Sequence, residues 1–147
     1  MRKPAGAWSH ATVTPPFLDH LVLPVADVAV SRRFYEAALA PLGIMLAADH
    51  GDTFGFGHDG ESDDFWIVPG GPTQPPLHLA FPAPDHAAVE AFHRAALAAG
   101  GRDNGEPALR PRYHATYYAA YALDPDGHNV EAVDHGIERR ASSEAER

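Results

Sequence analysis

Slid against itself by 58 positions, the sequence aligns residues 20–43 with 78–101, and eleven of those 24 positions are identical. The matches include His20/His78, Pro24/Pro82, Asp27/Asp85, Phe34/Phe92 and Gly43/Gly101. Alanine matches come cheaply in a chain like this one, but His, Pro, Asp, Phe and Gly do not. A repeat of this length predicts a duplicated supersecondary unit, so whatever one copy folds into, the other must fold into as well.

Each copy opens with a short apolar stretch, "HLVLP" or "HLAFP", followed by an aspartate placed to cap a helix. Val30, Phe34 and Ala38 in the first copy, and Val89, Phe92 and Ala96 in the second, recur at helical spacing. Gly43 and the pair Gly100–Gly101 stop the two helices. Three strands follow the first helix: "IMLAA", "DTFGFG" and "DFWIVP". After the second come an ill-defined stretch near 102–110, then "TYYAAYAL" and "HNVEAV" joined by Asp124-Pro125-Asp126-Gly127, which suits a type I turn. The fold class expected is α+β, with two tandem βαβββ modules forming cupped mixed sheets. Module boundaries are expected at 18–70 and 77–135, with 71–76 as linker, a flexible extension at 1–17 and a flexible tail at 136–147.

With 147 residues and 45% hydrophobic content, such a pair of modules can bury a full core. No run approaches the roughly 18 apolar residues of a membrane span, and the start has no continuous apolar segment of the kind that directs export. A cytoplasmic protein is expected. The net charge of −9 opposes phosphate backbones and anionic membranes, so neither nucleic acid nor membrane is an expected partner. There is no cysteine, which leaves His, Asp, Glu and water as the only ligands for a metal.

Glu131 sits in the apolar stretch after the Pro-Gly turn, and a carboxylate buried there needs a charge, donors or a metal. Strand alternation puts Leu21 and Leu23 on one face and His20 and Val22 on the other, and divides Leu79 and Phe81 from His78 and Ala80 in the same way. If the bulky faces pack under the helices, His20, His78 and Glu131 all turn to the concave side. Two imidazoles and a carboxylate form a set that binds Zn²⁺ or Fe²⁺ with coordination positions left open. His10, His50, His58, His86, His93, His128 and His135 read as surface residues.

The stretches "DHLVLPVADVAVSRRFYEAALAPLG", "LHLAFPAPDHAAVEAFHRAALAAGG" and "YYAAYALDPDGHNVEAV" resemble the vicinal oxygen chelate superfamily, which includes glyoxalase I, extradiol dioxygenases and bleomycin- or fosfomycin-resistance proteins. The resemblance covers residues 18–134. It implies cupped sheets around one divalent metal ion (Zn, Ni, Mn or Fe(II)), held by His20, His78 and Glu131. It also implies a small-molecule substrate and a homodimer, the site forming either within one chain or across two. Glyoxalase I has a fourth ligand on the last strand of its first module; here either Asp64 fills that role or Trp66 replaces it. A signature resembling that of the dioxygenases, His114, Tyr121, Asp124-Pro125, Gly127 and Glu131, would give His114 acid–base work and Tyr121 a steering role. "RPRYHATYYAAY", residues 110–121, would line the pocket mouth, with Arg110 and Arg112 suited to an anionic substrate and Tyr113 and Tyr118 to a flat ring or an apolar tail. Glyoxalase-like lyase or isomerase chemistry is the first expectation, extradiol ring cleavage the second, and a drug- or metabolite-binding resistance protein without turnover the third.

Overall fold

Both repeats begin with a strand because their first residues alternate a buried and an open face. In the computed structural model, which describes residues 17–136, β1 is Leu21–Val25 and β5 is His78–Pro82. Helix α1 (Val28–Leu39) follows the first and α2 (His86–Ala98) the second. Each is capped as expected. The Asp27 carboxylate accepts from Val30 N at 3.1 Å and that of Asp85 from Ala88 N at 2.7 Å, satisfying donors that a first turn leaves unpaired. Strands β2 (Ile44–Asp49), β3 (Phe54–His58) and β4 (Phe65–Pro69) complete the first module. The second is completed by β6 (Arg102–Leu109), β7 (Tyr118–Leu123) and β8 (Asn129–Asp134).

The two sheets have one plan, β1-β4-β3-β2 and β5-β8-β7-β6, with the first and last strands of each module parallel and the other pairs antiparallel. The α+β class and the doubled βαβββ order are those the repeat implies. The ill-defined stretch near 102–110 is a strand whose register shifts between Asp103 and Gly105 and again between Gly105 and Ala108. Gly105 and Pro107 interrupt it, which hid its alternation. The flexible extension at 1–17 and tail at 136–147 lie, but for one residue each, outside the described residues. No described helix is long and apolar enough to cross a membrane.

Helices α1 and α2 pack on each other, and the two modules share one core. Phe34, Tyr35, Ala38 and Leu39 of α1 and Val89, Phe92 and Ala96 of α2 are fully buried in it, together with Leu23, Ile67, Val130 and Ala132 from the sheets. Phe65 of β4 meets Phe81 of β5 edge to face at 5.4 Å. Gly101 permits the close approach: a Cβ there would lie 2.7 Å from the Phe34 ring.

Two of the histidines expected at the surface are core residues. His128 is fully buried and its Nδ1 accepts from Leu77 N at 2.8 Å, which ties the start of β5 to β8. His93 is 8% exposed and its Nε2 meets Asp103 Oδ1 at 2.9 Å. Each is tied inside by a hydrogen bond to a distant residue, which local polarity does not encode, and Nε2 of His128 is buried without a partner among the described residues. His50, His58 and His86 are exposed as expected, His135 is partly buried, and His10 lies outside the described residues.

Candidate functional site

Sharing a core through their helix-bearing faces leaves each sheet with an outward face. On the second sheet that face carries His78, Tyr121 and Glu131. Tyr121 is the register partner of Glu131 across β7 and β8, and Ala80 is its partner across β5 and β8. Glu131 is 2% exposed. The expected alternation sends it away from the core, yet Val130, Glu131, Ala132 and Val133 are all buried, because aromatic side chains cover this face. His78 Nε2 meets Glu131 Oε2 at 2.8 Å, and the Tyr117 hydroxyl donates to Glu131 Oε1 in a short hydrogen bond. The Tyr121 ring stands edge-on to His78 at 6.0 Å. Burial pushes both phenols above their ordinary pKa, and the Glu131 carboxylate adds to this, so both stay protonated donors at neutral pH.

Tyr117 was not among the residues expected to matter. Its signal is parity: 117 and 121 share a face, whereas Tyr118 takes the opposite one. Tyr118 is accordingly absent from this face. Its hydroxyl donates to Glu90 at 3.0 Å and its ring stacks on His86 at 3.8 Å, which places it against α2 and overturns its expected role at the pocket mouth. Arg110, Arg112 and Tyr113 do line a cavity of about 650 Å³ with His78 and Tyr121, and Asn129 joins them. His114 touches neither His78 nor Glu131. It bonds His135, Nε2 to Nδ1 at 2.8 Å, and meets the Tyr117 ring edge-on at 5.3 Å.

The first sheet presents the corresponding face without a carboxylate at its centre. Val22, the repeat counterpart of Ala80, pairs with Trp66, so Trp66 stands where Glu131 stands in the second module. Asp64 precedes the strand, with its carbonyl accepting from Leu21 N at 2.8 Å and its carboxylate accepting from Ser62 at 3.3 Å. The Trp66 indole lies flat over Gly55, where a Cβ would come within 2.9 Å of it, and stacks on His50 at 5.8 Å. His20 precedes β1, and its Nδ1 donates to Asp19 Oδ1 at 2.7 Å.

A divalent ion sets a simple test. Two donors about 2.1 Å from one ion stand about 3 Å apart at right angles and about 3.4 Å apart at the tetrahedral angle. His78 and Glu131, in direct hydrogen-bond contact at 2.8 Å, need to part by only a few tenths of an ångström to reach that spacing. Among the described residues no three His, Asp or Glu side chains gather closely enough to hold an ion, so His20 of the same chain does not complete the set. One chain therefore brings together two of the three expected donors.

A family model described as Glyoxalase/Bleomycin resistance protein/Dioxygenase superfamily matches residues 17–132, most of the chain. The chain belongs to that superfamily. Its fold is similar to that of a glyoxalase/bleomycin resistance protein from Albidiferax ferrireducens T118, at 28% identity and a TM-score of 0.68 over 80% of this chain and 98% of that one. It is similar also to a possible glyoxalase from Bacillus cereus, at 25% identity and a TM-score of 0.58 over 80% and 97% of the two chains. A glyoxalase-related enzyme from Fulvimarina pelagi, at 20% identity, shares the fold with a TM-score of 0.61 over 79% and 86%. No protein of curated function matches the sequence. The superfamily accounts for the doubled βαβββ plan and includes enzymes, while the reaction of this member rests on its own side chains.

Proposed function

We propose that this chain is a metal-dependent enzyme of the superfamily, acting in a glyoxalase-like way on a small substrate that offers two adjacent oxygens. One observation carries the reading: a nearly fully buried carboxylate, Glu131, whose sole ion-pair partner among the described residues is an imidazole, His78, at 2.8 Å. Besides that imidazole it has the neutral Tyr117 hydroxyl as a donor, and a buried carboxylate with so little positive charge beside it favours a further cation. A divalent cation supplies it, with His78 and Glu131 of one subunit and His20 of a second as ligands in a homodimer. When bound, such an ion acts as a Lewis acid toward the substrate's oxygens. Tyr117 fixes Oε1 of Glu131 and so aims Oε2 at His78. Tyr121 walls the same face and offers a protonated hydroxyl to an oxygen that gains charge.

A second reading, extradiol-type ring cleavage with Fe(II), is favoured by the imidazole of His114 lying against Tyr117, one ring away from Glu131. Metal analysis of protein purified without oxygen, followed by hemithioacetal isomerisation and catechol-dependent oxygen uptake, separates the readings. A redox-inert ion with isomerase activity supports the first. Iron with oxygen uptake that falls at least 100-fold in His114→Ala supports the second. Protein that binds no divalent ion refutes both and leaves a binding protein.

A further inference from the structure

We propose that the cavity beside His78 holds an anion subsite, and that the substrate is a small aromatic or enolic carboxylate whose charged end lies between Arg110 and Arg112. The inference rests on the reading of His78, which lines this cavity with Glu131 buried behind it, as the reactive end. In a chain of net charge −9, this cavity of about 650 Å³ is lined by two arginines and no aspartate or glutamate. That concentration of positive charge in an acidic protein selects against neutral and cationic ligands.

Both guanidiniums are held in place with donors to spare. Arg110 Nη2 donates to the Glu106 carbonyl at 2.6 Å and the group lies 5.2 Å over the Tyr121 ring. Its Nε is buried and has no partner among the described residues. Arg112 Nη2 donates to the Tyr113 hydroxyl at 2.6 Å and its guanidinium lies 4.7 Å over that ring. A guanidinium has five donors, so each keeps several for a ligand, and the planar fork matches a carboxylate.

The spacing fixes the ligand's size. Tyr121 has His78 at its edge, 6.0 Å away, and Arg110 over its face. A molecule reaching from His78 to the arginines must therefore span about one ring, and it runs along a tyrosine face that favours a flat, unsaturated body. Asn129 adds a polar wall: its Oδ1 accepts from Asn104 Nδ2 at 3.0 Å, so its own amide hydrogens remain for the ligand.

Calorimetry on the full-length protein with benzoate, phenylphosphonate and benzamide tests this. Benzoate is expected to bind at least tenfold more tightly than its neutral isostere benzamide. Arg112→Gln, and more so the double change with Arg110→Gln, should remove that preference. Phenylphosphonate binding more tightly than benzoate would keep the anion subsite but replace the carboxylate with a tetrahedral anion. Equal binding of benzoate and benzamide, a preference that survives the double change, or no binding of either anion would overturn the proposal. Metal content measured on the same samples keeps the tests apart: anion preference in protein that takes up no ion would sink the metal reading and leave the subsite standing.

Discussion

Replacing Glu131 with Gln is expected to weaken divalent-metal binding by at least 100-fold with little loss of folded structure. The amide can still accept from Tyr117 and keep the shape of the buried side chain, but it removes the anionic donor that stands 2.8 Å from His78. Losing a residue that merely supports a ligand costs about 10- to 100-fold, and losing a ligand costs more. His78→Ala should do the same. Titration of each purified variant with Zn²⁺ or Fe²⁺, alongside circular dichroism, checks both halves of the expectation. Unchanged affinity with an intact fold would remove Glu131 from the site.

Asp124→Ala is expected to cost about 3 to 5 kcal/mol of stability, measured by urea unfolding, because it orphans several donors at once. Asp124 is 3% exposed, and its Oδ1 accepts from Asp126 N at 2.9 Å and His128 N at 2.8 Å. Its Oδ2 accepts from the buried hydroxyl of Tyr35 at 2.6 Å. The first two bonds shape the turn that launches β8, and the third pins that turn to α1 of the other module. Burial first, then the Asp124 charge, holds the Tyr35 phenol well above its ordinary pKa of 10.0. An unfolded chain releases that proton near its ordinary pKa and the folded chain does so only later. The stabilisation is therefore complete below about pH 10 and declines as pH rises beyond it. Tyr35→Phe should flatten that alkaline decline, and stability that stays level through the same range in the parent protein would contradict the assignment.

The parts of the fold that could be read from the residues are those with a period. The 58-residue repeat, the aspartates that cap α1 and α2, and the alternation of β1 and β5 each state a local geometry that the packing leaves intact. What escaped depends on contacts between distant residues. His128 and His93 look like surface residues until the chain end of the linker and Asp103 are placed against them. Whether Asp64 or Trp66 occupies the position of Glu131 turned on a two-residue register, which strand pairing with Val22 assigns to Trp66. Tyr117 was legible in principle, because it shares the parity of Tyr121, but a cluster of four tyrosines invites choosing by composition rather than by face.

No described trio of His, Asp and Glu gathers within one chain, so the proposed three-ligand centre needs two subunits, and this points to the experiment that decides the account. His20→Ala and Glu131→Gln proteins, each deficient in metal binding alone, should be unfolded, mixed in equal amounts, refolded together and titrated with the ion. If His20 of one subunit joins His78 and Glu131 of another, random pairing restores about a quarter of the parent's sites. A mixture that binds no more metal than its separate components would contradict a shared centre.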